Sequence, residues 1–256
     1  MANPVVIMRT PAETALIERF ASEKASLPGV AEARAAAFAR FEAKGLPSKR
    51  IESYHYTDVR NLMRTIAPAA NDAVAGETLK LAGFARLGFT NGRWQGGDAA
   101  EGVTVQPLAD AYRDGVMPGL GMGEASDIVV DLNTAFARDG VSIKVAAGAE
   151  AKLHLAFSEN VSGPASILPR VIVHVGEGAA LQLIATHQGP AGIAYQVNEV
   201  VELRLGKGSN VEHIRVNLSG DKAMVLSSVA ATLAEAAELQ TMQVSLGGEV
   251  CRHQVF

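Results

Sequence analysis

Cys251 and His253 are the two side chains of this sequence best placed to do chemistry together. At i and i+2 on a strand they project from one face, and a thiolate beside an imidazole suits zinc or iron. Two donors do not close a metal site, so a partner chain or further residues would have to supply the rest. A buried thiol beside an exposed imidazole is the plainer alternative. The other histidines, His55, His154, His174, His187 and His213, are scattered. Apolar neighbours flank His154 and His174, and Ile214 follows His213, so period two is read as pointing all three away from the core, solvated or hydrogen-bonded between layers. His154 and His213 fall at similar distances past their turns, which would set them in one column.

Other chemistries lack their residues. Gly176-x-Gly178 and Gly206-x-Gly208 have no third glycine and precede strands rather than helices, so they read as turns needing small or positive-φ residues. No phosphate-binding G-x-x-x-x-G-K-[ST] occurs, so any ATP used would be bound by another chain. H-E-x-x-H, G-x-S-x-G and cysteine clusters are absent. A β-helix enzyme acting on polysaccharide is the alternative function to weigh. Its carboxylate candidates Glu199, Glu202 and Glu212 are dispersed and have no aromatic sugar platform nearby.

The elements carrying these residues show a repeat. Ile143 and Val145 alternate before Gly148, and Leu153, Leu155 and Phe157 after it. The same happens with Val171, Val173 and Val175 around Gly178, with Val201, Leu203 and Leu205 around Gly208, and with Val229, Ala231 and Leu233 around Ala236. The turn positions lie 30, 30 and 28 residues apart. One unit of strand, small-residue turn and strand cannot bury its apolar face alone, whereas stacked units align Val over Val and Leu over Leu. A mainly β chain results, a right-handed parallel β-helix (β-solenoid) preceded by an N-terminal helical segment. An antiparallel sandwich is the rival, and the sustained phase of three successive turns favours the solenoid.

Three regions follow. Residues 1–64 form an N-terminal helical region: apolar spacing over Glu13–Lys44, broken at Pro28-Gly29 and stopped at Gly45, predicts a helical hairpin. Residues 65–126 form a connecting region with short strands, a hairpin turn at Asn91-Gly92, a short helix near Leu108–Tyr112 and a Gly-rich link from Gly115 to Gly123. Period two begins at Asp127, and residues 127–256 form the parallel β-helix, incomplete at its C-terminal end.

Of the 256 residues 48% are hydrophobic and only 5% aromatic, so small and branched side chains must build the core. Net charge is −4, and residues 1–65 carry ten Lys/Arg against seven Asp/Glu. No dense basic stripe for nucleic acid is present. Met1–Phe20 contains Glu13 and Glu18 and lacks a signal-peptide apolar stretch, and no apolar run is long enough to span a bilayer. With a single cysteine the default expectation is a cytoplasmic protein.

The stretch Gly45-Leu46-Pro47-Ser48-Lys49-Arg50-Ile51-Glu52-Ser53-Tyr54-His55-Tyr56-Thr57-Asp58 resembles the SufB/SufD iron–sulfur assembly scaffolds, SufD most closely. Tyr54-His55 stands where that family usually has Trp-Lys before Tyr-Thr. Asn91-Gly92-Arg93, Leu132-Asn133-Thr134-Ala135, Asp139-Gly140-Val141, Pro169-Arg170-Val171, Asn198-Glu199-Val200 and Val211-Glu212-His213 continue the likeness in order. The resemblance implies a non-catalytic platform that pairs through its β-helix with a SufB-like subunit and carries a SufC-like ATPase on a C-terminal helical region. Family cluster ligands would lie past Phe256, so none is carried over. No cofactor is assigned to this chain alone; an iron–sulfur cluster or metal would belong to the full complex. Val250, Val255 and Phe256 provide no polar cap, which predicts a fragment that associates through its open edge, for instance as a homodimer through the β-helix.

Overall fold

Gly148, Gly178, Gly208 and Ala236 all take a left-handed backbone, with φ of 69, 66, 63 and 55°. Each turns the chain from one sheet into another, and each turn glycine's amide donates to the turn of the next coil: Gly148 to Glu177 O, Gly178 to Lys207 O and Gly208 to Glu235 O, at 2.9–3.0 Å. The first glycines of the two G-x-G pairs have a different cause. A Cβ on Gly176 would meet Ala147 N at 2.5 Å and one on Gly206 would meet Glu177 N at 2.8 Å, because successive backbones approach closely there. The computed structural model describes residues 8–71, 76, 78–119 and 127–256.

The solenoid has two parallel faces. After the hairpin β1 (Ala85–Thr90) and β2 (Arg93–Gly97), which turns at Asn91-Gly92 as expected, comes β3 (Val103–Pro107). The coils then run β4 (Gly140–Val145) and β5 (Glu150–Ser158), β6 (Ser166–Ile167), β7 (Arg170–Val175) and β8 (Ala180–Gln188), β9 (Gln196–Leu205) and β10 (Asn210–Leu218), β11 (Met224–Leu233) and β12 (Glu238–Ser245), then β13 (Val250–Val255). One sheet orders β3-β4-β7-β9-β11-β13 and the other β2-β1-β5-β8-β10-β12; every neighbouring pair is parallel except β1–β2 and β3–β4. The register stacks Val141, Val171, Val201 and Val229, and Leu153 over Leu183, into one core between the sheets. Each such fully buried side chain contributes about 1.5–3 kcal/mol, which selects this register over a one-residue slip.

Five α-helices accompany the solenoid among the described residues. They are α1 (Pro11–Glu23), α2 (Ala31–Lys44), α3 (Val59–Leu62), α4 (Leu108–Arg113) and α5 (Ile128–Phe136). Thr10 and Glu13 form a reciprocal capping box on α1, and α2 stops at Gly45 with φ 71°. Phe20 stacks on Phe38 at 3.9 Å, and both meet the edge of Phe136 at 5.6 and 5.8 Å. That cluster closes over Met224 and Leu226 on the outer face of β11. The alternation read from Asp127 opens instead with a helix: Asp127 caps α5, which is buried on every side and so shows no single apolar stripe. The Gly-rich link from Gly115 lies outside the described residues beyond Gly119, as does the amino terminus before Met8.

Candidate functional site

Strand parity decides what the solenoid encloses. In the lower coils Leu153, Leu155 and Phe157 of β5 point inward, with Leu183, Ala185 and His187 of β8 stacked on them. One coil further, the same three columns hold His213, Arg215 and Asn217 of β10, and then Thr241, Gln243 and Ser245 of β12. The opposite sheet follows: Glu199 of β9, Ser227 of β11 and His253 of β13 share one column, with Val197, Val225 and Cys251 in the next. These columns are therefore hydrocarbon over the first coils and mostly polar over the last, while Val211, Val229 and Leu239 keep the neighbouring columns apolar.

Part of this polar set forms one chain of bonds. His187 stacks flat on Phe157 at 4.4 Å and bridges two carboxylates, Glu159 through Nδ1 and Glu199 through Nε2, both at 3.0 Å. The other oxygen of Glu199 accepts from Arg215 Nε at 2.7 Å and from the Ser227 hydroxyl at 3.1 Å. Burial alone would lower the His187 pKa; the charge of Glu199 and bonds to both carboxylates raise it instead, which favours the imidazolium form between them. Burial would raise Glu199, yet His187 and Arg215 hold it well below the usual carboxylate range. Arg215 Nη2 and His213 Nε2 are buried without a hydrogen-bond partner among the described residues.

Cys251 and His253 face this network from β13, but Cys251 is exposed and His253 half-buried, the reverse of a buried thiol beside an exposed imidazole. Asn217 Nδ2 donates to Gly247 O at 2.9 Å and to Cys251 Sγ at 3.1 Å, and the thiol donates to Gly247 O at 2.9 Å. Gly248, with φ 95°, passes so near that a Cβ there would lie 2.5 Å from the sulfur. Burial pushes the thiol pKa up, opposed by the charge of Arg215 and the Asn217 bond, so the resting sulfur is protonated. His253 meets Ser227 Oγ at 3.4 Å, and burial, then Arg215, lowers its pKa. A neutral imidazole and a thiolate, the latter favoured by Arg215, are suitable ligands for zinc or iron. Among the described residues no three His, Cys, Asp or Glu side chains converge as a metal site.

Several sequence expectations change here. His213 does not point away from the core: it shares the parity of Val211, is fully buried, and meets Thr241 Oγ1 at 3.2 Å. Burial lowers its pKa to about 4. His154 lies on the outer face but is buried, bonding Thr186 Oγ1 at 2.8 Å, and its column runs through Ile184 and Ile214 rather than His213. His174 is half-buried, 3.5 Å from Arg204. The carboxylates Glu199, Glu202 and Glu212 take three separate sides. Glu199 is inside, Glu202 bonds Arg170 beneath the helical layer, and Glu212 accepts from Gln182 at the surface. They cannot flank one glycosidic bond. Sequence reading missed His187, Arg215 and Asn217, whose signal was Val-x-His-x-Arg-x-Asn at the positions holding Leu-x-Leu-x-Ala-x-His one repeat earlier.

Residues 16–65 match the family model described as the SufBD protein N-terminal region, and residues 156–256 match the SUF system FeS cluster assembly SufBD core domain. The chain is 27% identical over 236 residues to an iron–sulfur cluster assembly SufBD family protein of Synechocystis sp.; the alignment covers 82% of this chain and 52% of that protein. The chain thus spans about half the length of the curated relative it matches.

Proposed function

Since the chain belongs to the SufB/SufD family of iron–sulfur cluster assembly proteins, we propose that it acts there as a non-catalytic scaffold subunit of SufD type. It pairs with a SufB-like subunit and serves with a SufC-like ATPase in the cytoplasm. The observation that carries this reading is the polar interior of the last coils, which ends in Cys251 and His253 on β13. No phosphate-binding loop is present in the sequence, which is in keeping with an ATPase on another chain. No described helix is long and apolar enough to cross a membrane.

Cys251 and His253 supply two ligands to a metal or nascent cluster, the cargo of assembly, and a partner chain completes the set. Arg215 lowers the cost of the thiolate, Asn217 aims the sulfur, and Ser227 orients the His253 ring. Co-expression of the intact gene product with its SufB-like and SufC-like partners should recover a three-component complex; recovery of neither partner would remove the reading. Iron and sulfide measured anaerobically in that complex should fall at least severalfold in Cys251→Ser. Equal content in both proteins would confine the role to scaffolding.

A further inference from the structure

β13 has two faces, and its outer one is gripped by the N-terminal region. Its residues alternate, so Cys251 and His253 point inward while Arg252 and Gln254 point out. The Arg252 guanidinium lies 3.8 Å over the Tyr54 ring and also donates to Ser53 O. Gln254 Nε2 donates to the Tyr54 hydroxyl at 2.9 Å. Tyr54, itself 1% exposed, donates to the Asp127 carboxylate at 2.7 and 2.8 Å. Asp127 is no loose end: its Oδ1 caps α5 through Val129 N at 2.8 Å. Burial, and then the Asp127 charge, raises the Tyr54 pKa, so the phenol remains a donor at neutral pH. Two coils further down, Asn198 in the Arg252 column bonds Val129 O on the same helix at 2.8 Å.

The clasp matters because β13 is otherwise thinly held. Among the described residues it pairs with β11 alone and lies at the edge of its sheet. Most of its residues are exposed or half-buried, whereas β7, β9 and the first half of β11 are mostly buried. An edge strand with one ladder is where local opening begins. On the inner side the sulfur is held by Asn217 and the Gly247-Gly248 turn, a fit that requires β13 to stay in register.

We infer that Tyr54 is a positioning residue for Cys251 and His253: through Arg252 and Gln254 it holds β13 in place and sets how firmly the sulfur of the exposed Cys251 stays bonded to Asn217 and Gly247. The functional weight of this rests on the proposed role of that pair, but the coupling can be read without it. Cys251 is the one cysteine in the chain, so any thiol reagent reports on this strand alone.

The experiment is the rate at which 5,5′-dithiobis(2-nitrobenzoate) modifies the folded chain, with amide exchange followed in parallel. Tyr54→Phe removes the hydroxyl and keeps the ring; Arg252→Ala and Gln254→Ala act from the partly exposed strand and decide the matter should Tyr54→Phe fail to fold. Each should speed modification about three- to tenfold, as expected for losing one hydrogen bond or ring contact from a local opening. Exchange should rise along β13 and stay unchanged in β4 and β7. Gly178→Ala, a strained turn far from the clasp, supplies the control for general destabilisation. Rates within twofold of the parent in the clasp variants, or an equal rise in Gly178→Ala, would overturn the inference. Loss of metal ligation by Cys251 with the rate differences intact would instead remove only the ligand reading.

Discussion

At the scale of single residues, the fully buried His187 controls the charge balance of the interior. Glu159 and Glu199 flank it and Arg215 lies beyond, so the group is neutral only when the imidazole carries its proton. The folded-state pKa of His187 lies above 6.5, so its contribution is complete below that pH and is lost as pH rises through the raised value. Glu199 lies below 4.5, so its contribution is complete above that pH and fades as pH falls through the depressed value. His187 and Glu199 are thus both fully effective between pH 4.5 and 6.5, and because His213, depressed to about 4, adds stability that is complete only above pH 6.5 and fades as pH falls, urea midpoints should peak near pH 6.5. His187→Ala leaves two buried carboxylates facing one arginine and should cost about 3–5 kcal/mol near neutral pH, with the alkaline decline flattened. A parent-like alkaline decline in this variant would assign the pH dependence elsewhere. Little of this was legible in the sequence, because histidines taken one at a time show no partners. Comparing the same position in successive repeats would have shown polar residues replacing Leu and Ala in the interior.

At the scale of elements, the repeat was plain and its turns were read at their observed positions. A left-handed turn every 28 or 30 residues demands a small residue, and Gly148, Gly178, Gly208 and Ala236 mark it. Ala236 is the one whose Cβ opposes its backbone, at φ 55°. Ala236→Gly should stabilise the chain by about 0.5–1 kcal/mol, while Gly208→Ala, where a Cβ meets nothing within 4 Å and only strain remains, should cost about 1 kcal/mol. Equilibrium denaturation of the pair measures both signs; two losses would mean that these turns are not governed by backbone strain. α5 was illegible for the opposite reason. Ile128-Val129-Val130 looks like a strand, and a helix buried all round offers no contrast between faces. The signal that did exist was Asp127, whose carboxylate accepts the Val129 amide.

At the scale of the whole molecule, what separates this chain from a bare solenoid is a helical layer bonded to several coils at once. A stack in which each coil touches only its neighbours can open from an end, one layer at a time. Here Asn133 of α5 donates to Pro169 O before β7 and to Asn198 O in β9, and accepts from Arg170 Nη1 at 2.9 Å. Gln196 donates to Thr65 O at 2.9 Å, and Tyr54 holds β13. No periodicity in the sequence encodes such cross-ties, since each joins residues tens of positions apart whose only common property is the face they share. They should make helices and coils unfold as one. Trp94, the single tryptophan, packs against the solenoid core 5.3 Å from Phe89, so its fluorescence follows the coils, while ellipticity at 222 nm weights the helices. In the parent chain the two denaturation curves should coincide. Asn133→Ala leaves two carbonyls and a buried guanidinium short of a partner, and should cost about 1–3 kcal/mol and draw the curves apart, with the helical signal lost first. Coincident curves in that variant would mean that apolar packing over Met224 and Leu226 couples the layers without help from the polar ties.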